Sequence, residues 1–117
     1  MSDKKDRAAY RSDKTSALWS ESGTLRRELV CVQPEGEKTS VTVTISLPEL
    51  RKDRQRWCEV SIEGLWPEGF SIEVAGGDDI QALRHAFQAI GAKLASTAAF
   101  EEGRLYWLHP DLGHGFG

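Results

Sequence analysis

A chain of 117 residues with a net charge of -3 is long enough to bury one core and too short for two independent domains. With 39% hydrophobic and 28% charged residues, and no apolar run near the ~20 residues of a membrane helix, it is neither transmembrane nor compositionally disordered throughout. Two cysteines, Cys31 and Cys58, are too few for a disulfide scaffold and are expected to be free thiols.

In chain order, residues 1–23 read as a flexible polar leader. The stretch MSDKKDRAAYRSDKTSALW has no continuous apolar segment followed by a small-residue cleavage site, so a cytoplasmic location is expected. Residues 1–14 carry five basic and three acidic groups, too few cations for the multi-phosphate neutralisation that drives nucleic-acid binding. Two-residue alternation then begins. Leu25–Gln33 is apolar on both phases, with Leu29 and Cys31 facing one way and Val30 and Val32 the other. Pro34-Glu35-Gly36-Glu37 supplies turn chemistry, and Thr39–Leu47 is the clearest strand, with Val41, Val43, Ile45 and Leu47 on one face. Pro48 ends it, and Leu50–Arg56 reads as a charged connection. The strand Arg56–Leu65 sets Cys58, Val60 and Ile62 against Trp57, Glu59, Ser61 and Glu63. After a turn at Trp66–Gly69, a fourth strand sets Phe70, Ile72 and Val74 against Ser71 and Glu73.

A helix follows. Asp78 is placed to cap it, Gln81 stands three residues on, and Ile80, Leu83, Phe87, Ile90 and Leu94 form one apolar stripe. On that stripe, Phe87→Ala and Leu83→Ala are expected to be severe. Gly91 is expected to allow close packing on the sheet. Leu105–Leu108 reads as a further strand ended by His109-Pro110, and Asp111–Gly117 has no periodicity. The expected fold is α+β: an antiparallel meander of about four strands, one amphipathic helix packed on one face, and a C-terminal strand. The expected boundaries are a leader over 1–23, a single domain over 24–109, and an irregular glycine-rich tail over 110–117.

With the helix on one face, the other presents Thr42, Thr44, Ser61 and Ser71 with Trp57, Glu59, Glu63 and Glu73. The latter four are the candidate protein-binding residues, acidic groups to attract a basic partner and a tryptophan to anchor it. Two other clusters stand apart. Arg51-Lys52-Asp53-Arg54-Gln55-Arg56 gathers four cations beside Trp57, the place for nucleic-acid contact, but an acidic residue interrupts it and the surrounding domain is acidic. His109, Asp111 and His114 are a possible metal set on a flexible loop, the alternative being a small metal-dependent enzyme or metal-binding protein, though their spacing matches no known motif, and His85 lies off the apolar stripe. Neither cysteine has a histidine near it, and two aspartates at the helix start oppose a bound phosphate. No catalytic residue, cofactor or metal is expected, and a monomer and a homodimer both remain open.

The stretch Trp57-Cys58-Glu59 … Gly76-Gly77-Asp78-Asp79-Ile80-Gln81-Ala82-Leu83 … Ala86 … Ile90 … Leu94, closing on Leu105-Tyr106-Trp107, resembles small uncharacterised bacterial proteins. In these a strand meander leads into a G-x-D-x-x-Q-A-L-x-x-A helix, and similar helices occur in immunity proteins of polymorphic toxin systems. The resemblance covers about residues 55–108 and brings no catalytic residues. It implies a non-enzymatic bacterial domain, with toxin neutralisation by direct protein binding as one role.

Overall fold

The computed structural model describes residues 23–116. All but the last residue of the expected leader lies outside them. Six strands form one antiparallel sheet: β1 (Thr24–Val32), β2 (Lys38–Ser46), β3 (Glu49–Leu50), β4 (Arg56–Glu63), β5 (Phe70–Gly76) and β6 (Leu105–Tyr106). The order across the sheet is β5, β4, β2, β1, β6, with β3 continuing the line of β2 beside β4. Two helices, α1 (Asp79–Ala95) and the short α2 (Ala98–Glu101), carry the chain from the β5 edge to β6 on the far edge. The architecture is the expected α+β one.

The strand before Pro48 ends at Ser46, and the short β3 resumes just beyond the proline. Ile45 pairs with Val60 and Glu49 with Trp57, so residues 46–48 face only residues 58–59. This one-residue excess is a β-bulge, a place where a proline with no N–H to donate is tolerated. The Glu59 amide donates there to the Ser46 hydroxyl at 2.7 Å. The charged connection is a tight turn, Arg51 N–H donating to Gln55 O at 3.0 Å and Arg54 N–H to Arg51 O at 2.9 Å.

The core lies on one face of the sheet. Leu29, Cys31, Val41, Val43, Ile45, Cys58, Val60 and Ile62 are all buried there under α1 and the C-terminal segment. Asp78 caps α1 as expected, accepting from the Gln81 amide at 2.8 Å, while the Gln81 side chain accepts from Gly77 N–H at 2.6 Å. The buried stripe keeps the expected Ile90 and Leu94 but differs from expectation in its N-terminal half. Ala82, Ala86, Ile90 and Leu94 face the core, whereas Ile80 is 71% and Phe87 39% exposed. At its N-terminal half the helix lies so close to β5 that a methyl group at Gly76 would run into the Ala82 backbone. Only alanine fits along that seam, so Leu83 and Phe87 flank it, and Phe87→Ala loses its claim to severity. His85 fastens the same seam, its Nδ1–H donating to Ala75 O at 2.7 Å.

The last strand is shorter than expected because Leu108 adopts φ 67° and the Trp107 amide turns to Gly113 O at 2.7 Å. Residues 110–116 do lack strand and long helix, having one 3₁₀ turn at Pro110–Leu112, but they pack on the domain. His114 is buried with its ring 4.9 Å from that of Phe100, and Phe116 packs against the core. Gly91 makes room for this segment, its Cα face lying against Phe116 and His114, not against the sheet.

Candidate functional site

Among the described residues no element covers the face opposite the core, and the register fixes its rows. Glu28, Thr42 and Glu63 lie abreast on β1, β2 and β4; Arg26, Thr44, Ser61 and Ser71 form the next row; Glu59 lies directly opposite Glu73. Trp57 stands at the corner, paired with Ala75 on one side and Glu49 on the other. The two-residue period therefore brings Trp57, Glu59, Glu63 and Glu73 onto one surface, as the sequence suggested.

Their environments differ. Arg51 grips Glu73 with both guanidinium arms, at 3.0 and 2.8 Å, and this hydrogen bonding holds the Glu73 carboxyl below its ordinary pKa and raises that of Arg51. The same guanidinium lies 5.1 Å from the Trp57 ring centre, and the indole N–H donates to Asp53 at 3.0 Å. The Gln55 amide, then the Trp57 indole, also lower the Asp53 pKa. Trp57 is thus held in place between a cation and a carboxylate. Glu59 accepts only from the Ser71 hydroxyl at 3.3 Å, and among the described residues neither Glu59 nor Glu63 has a cationic partner.

The arginine-rich turn does not present four free cations. Arg51 is committed to Glu73 and Trp57, and Arg56 leans to Asp79 at 3.6 Å, which leaves Lys52 and Arg54. The histidine set is not assembled either. His109 Nδ1 accepts from the Asp111 amide at 3.2 Å, and His114 Nδ1 accepts from the Phe116 amide at 2.9 Å, so both act as backbone caps. Asp111 is exposed while His114 is buried, and among the described residues no three His, Cys, Asp or Glu side chains converge as metal ligands would. Cys31 and Cys58 are free and buried, with β2 between their strands, and burial pushes the Cys58 thiol up.

One polar group was not foreseen. Arg27 pairs with Val43 and lies between Leu25 and Leu29 on the core-facing side of β1. Its guanidinium stacks 3.8 Å from the Trp107 ring centre and 4.8 Å from that of Phe116, and it donates to Gly115 O at 2.9 Å. Burial lowers its pKa. The signal that locates it is the register, since the sequence of β1 is apolar on both phases.

Together these features define a small α+β domain with one face of its sheet packed and the other left open by the described residues. The chain belongs to the family described as Domain of unknown function (DUF6968), which residues 25–117 match. That match begins within β1 and takes in the packed C-terminal segment. No curated protein and no solved structure matches the chain.

Proposed function

We propose that this is a non-enzymatic protein-binding domain that meets a basic partner surface with its open sheet face. The observation that carries the reading is the pair Glu59 and Glu63, exposed on that face with no cationic partner among the described residues. Like charges directly opposite in a sheet, as Glu59 and Glu73 are, destabilise it, and Arg51 relieves this at Glu73. Arg51 neutralises Glu73, and Glu59 and Glu63 remain to attract a cationic group. The flanking hydroxyls of Thr42, Thr44, Ser61 and Ser71 offer hydrogen bonds at low entropic cost, and Trp57 offers an apolar anchor already fixed in position. The narrower reading, an immunity-type inhibitor of a cationic toxin, is supported by the acidic balance and by the resemblance of the α1 sequence to such proteins.

The test is affinity capture by the full chain from a lysate of its source cells, at low and moderate salt, beside the Glu59→Lys/Glu63→Lys double variant. A basic protein retained stoichiometrically by the native chain, less so at moderate salt, and lost by the variant is the expected result. The same protein retained equally by both chains would remove the open face from consideration.

A further inference from the structure

On the core side, the described residues leave a recess between α1, the β1 edge and the C-terminal segment. This recess, of about 230 Å³, is lined by Leu25, Phe87 and Phe116, with Val43 and Ile45 buried at its base. A second recess of about 360 Å³ shares Arg27, Phe87 and Phe116 with it and reaches Arg84 on α1. Together they fall in the size range of small-molecule sites, which are mostly apolar with a few fixed polar groups.

Arg27 supplies such a group. An arginine placed inward on a strand needs a compensating partner, because desolvating the cation is costly. Here the compensation is incomplete: two aromatic rings and one carbonyl, and no carboxylate among the described residues. A guanidinium has five N–H donors in a planar fork, and the bond to Gly115 O uses one. The stacking between Trp107 and Phe116 fixes the fork before any ligand arrives, which limits the entropy lost on binding. Arg84, at the mouth of the second recess, has no ion-pair partner among the described residues. Arg27, a cation fixed in apolar surroundings, suits a monovalent anion with an apolar tail.

We propose that the recess binds a free medium-chain fatty acid, its carboxylate on the open N–H groups of Arg27 and its chain against Leu25, Phe87 and Phe116. This site lies on the opposite side of the sheet from Glu59 and Glu63 and is independent of the protein-binding reading.

The experiment titrates the full chain with decanoate, followed by calorimetry and by backbone amide NMR shifts. Decanol serves as the same tail without the carboxylate, and acetate as the carboxylate without the tail. Expected are one decanoate per chain below its micellar concentration, shifts centred on β1, Phe87 and Gly115–Phe116, and no binding of acetate. Decanol and the Arg27→Gln variant are each expected to bind roughly ten-fold more weakly, as for loss of a charge-assisted pair. Binding in the Glu59→Lys/Glu63→Lys chain should match that of the native one. Equal affinity for decanoate and decanol, shifts on the open face instead, or no binding below micelle formation would each overturn the proposal, and the decanol comparison holds even if Arg27→Gln fails to fold.

Discussion

His114 is where packing and charge oppose each other most directly. Burial among Phe100 and Phe116 disfavours its protonated form, and the Arg27 charge adds to this, so its pKa lies below the ordinary value near 6.5. The folded state therefore holds fewer protons than the unfolded one between the two values. This linkage leaves stability unaffected above the ordinary value and removes it as the pH falls toward the folded one. Glu73 acts in the same direction in more acid solution: Arg51 depresses its pKa below 4.5, so its contribution is present above that value and lost as the pH falls through the folded one. The His114 share is separable with His114→Asn, whose side-chain oxygen still offers the Phe116 amide an acceptor but does not titrate. Urea midpoints should fall between about pH 7 and about pH 5 in the native chain and stay nearly level in the variant. Parallel slopes would show that the titration does not act through this ring.

At the scale of elements, α1 separates what periodicity reveals from what packing decides. The cap, the length and the helical character of α1 were legible because Asp78, Gln81 and the apolar spacing are local features. Of the buried stripe, Ile90 and Leu94 were legible as well, but its N-terminal half was not, because its phase depends on how near the helix comes to β5, which Gly76 and Ala82 set jointly. The contrast gives a direct test with one chemistry at two positions. Ile80→Ala, at a residue 71% exposed, should change stability by under about 0.5 kcal/mol, whereas Ile90→Ala, fully buried, should cost about 2–5 kcal/mol by chemical denaturation. Comparable losses at both would restore the stripe read from spacing. Strand β1 teaches the same lesson from the other side. The open-face residues on β4 and β5 were placed correctly because each strand has a single apolar phase, but Leu29/Cys31 and Val30/Val32 left β1 undecided. Only its pairing with β2 turns Arg27 inward.

Across the whole molecule, the sheet has two faces of different chemistry, and α1 alone does not cover the inner one. It runs over β4 and β5, and the β1 side is closed by the segment after β6. Nothing local in Asp111–Phe116 announces this, since its contacts are made with residues far away in sequence: Gly115 O accepts from Arg27, 88 positions earlier. The family match, which continues to residue 117, agrees with treating this segment as part of the domain and not as a tail. Ending the chain after His109 would take away the buried His114 ring, uncover Phe100 and Phe87, and leave the Arg27 guanidinium without Phe116 and the Gly115 carbonyl. Burial of one aromatic side chain is worth about 1.5–3 kcal/mol, and exposing an inward cation to water offsets only part of that loss. The shortened chain should therefore unfold at a clearly lower urea concentration than the full one, by about 2 kcal/mol or more. An unchanged midpoint would return residues 110–117 to the status of a tail and open the fatty-acid recess along one side.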